Sequence, residues 1–312
     1  MGSRHEPAHR PVMVVEVLRH LRGGPGWYLD ATLGDGGHAA ALLDAEPGAR
    51  LLGTDRDPES LAVARVALAR FGERVVIERA RFAELPAVHA RLGSTRFTGA
   101  MLDLGLSSRQ IDTTGRGMSF MRDEPLDLRM DATTGEPAHR MLERVTEDAL
   151  ETVLRVHGDL REAGRLARAL VAAARAGSLR TTGALVAVVD RALGGRPHPR
   201  RHAQVFQALR IWVNDEMSDL ETMLDWLPGA MAPGGVVVTL AYHSGEDRRI
   251  KQALRGRPPR IPRRLLPLVT ESESDRPWRE LSRRVELPTD TEVAANPRAR
   301  SARLRAFRRN SA

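Results

Sequence analysis

Asp30-Ala-Thr-Leu-Gly34-Asp-Gly36-Gly37-His38, followed by Gly53-Thr-Asp55-Arg-Asp57, decides the fold of this 312-residue chain. A mononucleotide-binding βαβ unit needs glycines where its first strand turns into a helix, so that backbone can approach a ligand without a Cβ in the way. Gly34, Gly36 and Gly37 supply them. The next run, Ala49 to Thr54, reads as a short buried strand ending at Asp55, where a carboxylate can accept both hydroxyls of a ribose.

The ligand stays open on these residues alone. Gly34-x-Gly36-x-x-Ala39 also fits a loose dinucleotide fingerprint, so NAD and S-adenosylmethionine share the reading with a plain glycine turn. Asp30 tips the balance toward adenosylmethionine: that cofactor presents an ammonium near the end of the first strand, where NAD would present a pyrophosphate that a carboxylate repels.

Strand-like runs occur at Trp27 to Leu29, Arg50 to Thr54, Val75 to Glu78, Gly99 to Leu104 and Gly235 to Tyr242, with helical patterns between the early ones. This alternation implies a parallel sheet covered by helices on both faces. From about Gln110 to Trp226 no strong strand run appears, and helical spacing governs Thr146 to Val156, Leu160 to Ala176, Thr182 to Leu193 and Gln204 to Leu227. Thr146, Thr181 and Thr182 are candidate N-caps. The expected architecture is an α/β sheet interrupted by a helical insert: 1–109 and 216–256 form the α/β domain, 110–215 the insert, and 257–312 a C-terminal extension. An insert after the fourth strand suits substrate selection, with a remote helical buttress as the ordinary alternative. Prolines 258, 259, 262, 267, 277 and 288 suggest that the extension wraps the surface with little regular structure.

The net charge of +8 is unevenly placed: from Arg248 to Ala312 seventeen Arg and one Lys face seven acids, giving +11 and leaving −3 for the rest. Clustered arginines favour phosphate, through their planar fork and permanent charge, so the tail is a candidate nucleic-acid contact. The absence of cysteine excludes disulfide scaffolds and thiol catalysis and fits a reducing, cytoplasmic setting. Val12 to Leu18, interrupted by Glu16, is too short to span a membrane.

Met101-Leu-Asp103-Leu-Gly-Leu-Ser107-Ser108 places an acid where the fourth strand leaves the sheet, the usual seat of reacting groups in open α/β folds. Methylation of an exocyclic aromatic amine requires acceptors that turn its lone pair toward the methyl, and Asp103 is suited to that task; a turn or N-cap role is as natural. Tyr242-His243-Ser-Gly-Glu246-Asp247-Arg248 lies beyond the last strand, where His243 is either a proton acceptor or a structural hydrogen-bonder. The polar stretch Gln110 to Asp131 reads as functional loop or as a loop with internal Asp–Arg pairs. The pairs His5/His9 and His198/His202 have no evident third ligand, and no metal is assigned.

Taken together, these motifs resemble the bacterial family of ribosomal RNA small-subunit methyltransferase H, also called MraW. The resemblance runs from His9-Arg-Pro11-Val through Asp30-Ala-Thr-Leu-Gly34, Gly36-Gly37-His38, Asp55-Arg-Asp57-Pro58, Asp103 to Ser108, Gln110-Ile-Asp112, Arg116 to Phe120, Pro125 to Asp131 and Phe206 to Ile211. It ends with His243 to Arg248 and Asn296 to Ser301. It implies a class I adenosylmethionine-dependent methyltransferase, with a Rossmann-like sheet and a helical insert, acting on N4 of a cytidine in the decoding region of 16S rRNA. By position it assigns S-adenosylmethionine contacts to Gly36, Gly37, His38, Asp55, Phe82, Asp103 and Gln110, with Phe82 against the adenine and Asp55 on the ribose. Asp103 and His243 are the catalytic candidates. Expected partners are 16S rRNA or the small subunit, held by insert and tail; a homodimer stays open, and no membrane is implied. Met118 where an aromatic is usual, Gly245 where Leu is usual, and Val156-His-Gly-Asp-Leu-Arg-Glu in place of Tyr-Gly-Glu-Glu-Arg depart from the pattern on the substrate side. A paralog acting on another RNA, a non-catalytic RNA-binding assembly factor and, more remotely, an NAD-dependent dehydrogenase are the competing readings.

Overall fold

The computed structural model describes residues 11–197, 199–255, 277–282 and 284–311. The chain forms two compact units, Met1–Gly105 with Asp219–Ala312, and Leu106–Ser218. The first begins α1 (Val14–Leu21), β1 (Gly26–Asp30), α2 (Gly37–Ala45), β2 (Ala49–Asp55), α3 (Pro58–Leu68), β3 (Val75–Arg79), α4 (Leu85–Arg91) and β4 (Phe97–Asp103). The second holds α5 (Ser108–Asp112), α6 (Ala138–Arg144), α7 (Glu147–Gly158), α8 (Ala163–Arg175), α9 (Thr182–Ala192) and α10 (Pro199–Asn214). There follow α11 (Glu216–Ala230), β5 (Met231–Ala241), α12 (Ser244–Leu254), β6 (Trp278–Glu280), α13 (Asp290–Ala295) and β7 (Arg303–Arg309).

In the first unit the seven strands lie in the order β3-β2-β1-β4-β5-β7-β6. Strands β1 to β5 pair in parallel, and β7 is antiparallel to both of its neighbours. This is the class I methyltransferase sheet that the resemblance implied. The order reverses between β1 and β4, and a crevice beyond the carboxyl ends of the strands is expected at such a reversal. One face is covered by α1, α2 and α3 through Val17, Leu42, Leu61 and their neighbours. The other is covered by α4, α11 and α12 through Leu85, Leu224 and Ile250. With both faces buried, the central strands read as continuous apolar runs, which is why Leu51-Leu52 and Val236-Val-Val238 stood out in the sequence.

Local chemistry sets the helix starts. Asp57 caps α3 by accepting from Glu59 N at 3.0 Å, with Pro58 in the first turn. Thr146 and Thr181 cap α7 and α9, at 3.3 and 3.2 Å to the amides of Ala149 and Ala184. Thr182, the third cap candidate, instead donates to Arg122 O at 2.7 Å and accepts from Glu124 N at 2.9 Å. The second unit has its own core, built around Leu150, Leu154, Leu166, Leu170, Leu185 and Leu209.

Two sequence expectations need correction. The helix read over Gln204 to Leu227 is two helices, because Asp215 adopts a left-handed conformation (φ 52°) after Asn214, whose side chain is taken by Met130 N and Leu128 O. The C-terminal stretch also carries more regular structure than its prolines suggested. Residues 256–276 lie outside the described residues, as do His5, His9 and His198, but Trp278–Glu280 and Arg303–Arg309 are strands of the sheet. Four arginines in seven positions hid β7 from a hydropathy reading. Leu304 and Ala306 face one core and Phe307 the other, while Arg305 is buried and neutralised by Asp247 and Glu280.

Candidate active site

The last residue of β1 is Asp30, of β2 Asp55 and of β4 Asp103, three aspartates at the carboxyl ends of adjacent strands. Asp30 is 4% exposed and accepts from Thr32 N at 3.1 Å. Burial, reinforced by the charges of Asp103 and Asp55, pushes its carboxyl up to about 7. Asp55 accepts from Gly34 N at 2.8 Å and from Asp57 N at 2.9 Å. Burial still raises it to about 6, with the charge of Asp57 adding to the effect. Burial is the main cause of both shifts, and the neighbouring carboxylates add to it at Asp30, where a cationic ligand would offset the cost of ionisation.

The glycine turn is specific in another way. Gly34 and Gly36 adopt φ of 51° and 87°, values costly for any residue with a Cβ. Gly34 N is spent on Asp55 and Gly36 N on Leu33 O, so neither amide is turned toward a phosphate. The turn holds β1 to β2 through Asp55. It ends at α2, whose N-terminus has no side-chain cap; amides so placed favour a carboxylate.

Asp103 is fixed from several sides. Its backbone N–H donates to Thr32 Oγ1 at 2.6 Å, and its Oδ1 accepts from the Tyr242 hydroxyl at 2.8 Å. Its Oδ2 lies 3.7 Å from His38 Nδ1. The other nitrogen of His38 is 2.8 Å from the Val12 carbonyl, which only accepts, so the neutral ring carries its proton on Nε2. Phe82 opens a one-turn 3-10 segment after β3 and packs against the core beneath it. Its neighbour Arg81 is clamped by Asp219 on α11 through two bonds of 2.9 Å.

His243 is placed differently from a free base. It is the N-cap of α12, with Nδ1 facing the amides of Gly245 and Glu246 at 3.2 and 3.4 Å, and Nε2 3.1 Å from Glu246 Oε1. Glu246, almost fully buried, returns the cap by accepting from the amides of Tyr242 and His243 at 2.8 and 3.2 Å. Asp247 meets Arg305 of β7 at 2.6 Å and Lys251 at 3.1 Å. Burial opposes its ionisation, but these two cations outweigh burial and hold its carboxyl below the usual range. The acids of this motif thus anchor the end of β5. Gln110 belongs to the second unit, where it forms a reciprocal cap with Ser107: each side-chain oxygen accepts from the other's amide at 3.1 Å. Sequence reasoning passed over Tyr242, Thr32 and Arg81. The available signal for Tyr242 was its position one residue past a strand end, level in sequence pattern with the acids.

Residues 6–310 match the profile of the MraW methylase family. The chain belongs to that family. Among relatives, the ribosomal RNA small subunit methyltransferase H of Sorangium cellulosum (strain So ce56) is 42% identical over 306 residues, covering 96% of this chain and 90% of that protein. The protein of the same name from Halorhodospira halophila (strain DSM 244 / SL1) is 44% identical over 322 residues, covering 97% and 94%. Among solved structures, an rRNA methylase from Streptococcus thermophilus aligns at 8% identity with a TM-score of 0.42, over 96% of this chain and 94% of that one.

Two departures from the MraW pattern fall at structured positions. Met118 is buried in the core of the second unit. Gly245 sits in the first turn of α12 beside the His243 cap, and nothing in the structure explains a glycine there. The polar stretch after Gln110 is largely self-satisfied: Arg129 is bidentate to Asp127 at 2.7 Å, and Arg116 donates to Met130 O at 3.0 Å.

Proposed function

We propose that this protein transfers a methyl group from S-adenosylmethionine to N4 of a cytidine in the decoding region of 16S rRNA. The observation that carries the reading is the convergence of Asp30, Asp55 and Asp103 at the reversal of strand order, beside a glycine turn whose amides are turned inward. Adenosylmethionine offers what this site asks for: positive charge for Asp30 and Asp103, a ribose diol for Asp55, and a carboxylate for the N-terminus of α2 at Gly37 and His38. NAD would set a pyrophosphate against three acids. The names of the relatives support an RNA of the small ribosomal subunit as substrate.

When bound, the cofactor supplies an electrophilic methyl on sulfonium. Asp103 would accept an N–H of the cytidine amine and turn the nitrogen lone pair into line with that methyl, the geometry that direct displacement of the sulfonium would need. The ammonium-like product then gives its proton to solvent, a choice supported by the commitment of His243 Nδ1 to the α12 cap. Gly36, Gly37, His38, Asp55 and Phe82 serve the cofactor, with Phe82 beside the adenine. The helical unit and the arginine-rich tail hold RNA, and a ribosomal substrate is in keeping with a cytoplasmic protein. No helix among the described residues is long and apolar enough to cross a membrane.

The test is transfer of labelled methyl to naked 16S rRNA and to small subunits lacking the modification, followed by nucleoside mass spectrometry. N4-methylcytidine is the expected product. Label on another nucleoside would make the protein a paralog, and cofactor binding without any transfer would make it a non-catalytic RNA-binding factor.

A further inference from the structure

We propose that Tyr242 is a positioning residue for methyl transfer, its hydroxyl holding the Asp103 carboxylate in the orientation that meets the reacting amine. The inference rests on the function proposed above and adds a residue to it. Strands β4 and β5 are neighbours, with Asp103 paired to Leu240, so a side chain just past the end of β5 reaches one strand across. The Tyr242 hydroxyl does so, donating to Asp103 Oδ1 at 2.8 Å.

Every other part of Tyr242 is held to make that contact. Its backbone N–H donates to Glu246 Oε2 at 2.8 Å, inside the cap that Asp247 and Arg305 tie to β7. Its ring lies against Gly105, where φ is +114° and an added Cβ would come within 3.2 Å of Cδ2. Burial and the charge of Asp103 push the phenol far above its ordinary range, so it stays a donor wherever the enzyme works. The charged and titratable groups facing the pair are His38 from α2, Asp30 from β1, Glu246 from α12 and Glu292 from α13. With Oδ1 fixed by Tyr242 and the backbone fixed by Thr32, the plane of the carboxylate is set. A hydrogen bond to an ionised group is strong enough to hold such a plane and directional enough to define it.

Tyr242→Phe in the full chain deletes one oxygen and keeps the ring. The expected result is a fall in kcat of about tenfold or more, a smaller change in KM for adenosylmethionine, and an acid limb of the pH profile moved to higher pH, because the ionised carboxylate has lost a donor. A merely structural contact would lower thermal stability and leave the pH profile in place. A second readout needs no turnover. The chain has two tyrosines, and Tyr28 is engaged with Gly23 N and Gly24 O, so ring-carbon NMR of tyrosine-labelled protein gives two signals assignable by Tyr242→Phe. Without cofactor, the Tyr242 signal should follow the ionisation of Asp103 and lose that inflection in Asp103→Asn; it should move again on adding adenosylhomocysteine. A Tyr242 signal indifferent to Asp103→Asn, or a Tyr242→Phe enzyme with unchanged kcat and pH profile, overturns the proposal. Should Tyr242→Phe not fold, Tyr28→Phe assigns the two signals and the comparison of wild type with Asp103→Asn decides. Calorimetry with adenosylhomocysteine separates the two ideas: absence of binding removes the proposed function and the role with it, whereas binding with a silent Tyr242 removes only the role.

Discussion

Replacing Asp30 by Asn should make the cofactor-free protein more stable and a worse enzyme. The Asp30 carboxyl rises from 3.8 to about 7, chiefly through burial and then through Asp103 and Asp55. In the folded protein it therefore holds a proton that the unfolded chain has already released, and stability falls as pH climbs from about 4 to about 7. At about 1.4 kcal/mol per tenfold change in proton affinity, the rise corresponds to about 4 kcal/mol above pH 7 as an upper bound; relaxation around the new amide leaves about 2–4 kcal/mol to recover. The substituted side chain would keep the bond from Thr32 N and turn its amide toward the remaining acids. Urea denaturation of both proteins at pH 5 and pH 8 measures the effect. Asp30→Asn should gain about 1–2 kcal/mol at pH 5 and most at pH 8, and its affinity for adenosylhomocysteine should drop about tenfold or more as the ammonium loses a charged partner. Equal pH dependence of the two proteins, or a less stable variant at pH 8, would refute the argument that this carboxylate is stored at a cost in the empty site.

Asp55→Ala should weaken adenosylhomocysteine about a hundredfold or more by calorimetry, since it removes the ribose acceptor and the tie from Gly34 N; an unchanged Kd would sink the assignment. His243→Asn keeps an N-cap residue and deletes the imidazole, so kcat within about threefold of wild type would leave His243 a cap, whereas a loss of about a hundredfold would make it the base. Arg305→Ala leaves Asp247 and Glu280 buried without their main cation and should cost about 3 kcal/mol in thermal or chemical denaturation; a loss under about 1 kcal/mol would mean the network does not anchor β7.

The core of the sheet was legible because its strands are buried on both faces and read as apolar runs between glycine and proline punctuation; all five parallel strands could be placed within a few residues. The final strand was not, because β7 belongs to the sheet through partners far away in sequence. Its arginines look like a solvated tail until Asp247 and Glu280 are brought to Arg305. The break at Asp215 escaped for a related reason: a helix period continues across it, and only the demand of Met130 N and Leu128 O on Asn214 shows why the chain turns there.

By itself the sequence determined the residues with chemistry to offer: the glycine turn, the aspartates at the ends of β1, β2 and β4, and the family to which their spacing belongs. Those features are local, fixed by which side chains can occupy a tight turn or a strand end. Only the tertiary structure decided how these groups act on one another. Burial at the strand ends raises Asp30 and Asp55, with Asp103 and Asp55 adding to the rise of Asp30, the α12 cap takes up the lone pair of His243, and pairing of β4 with β5 sets Tyr242 against Asp103. Charge repulsion, burial and hydrogen-bond direction depend on distances through space, and the chain folds residues 103 and 242 to within a hydrogen bond of each other.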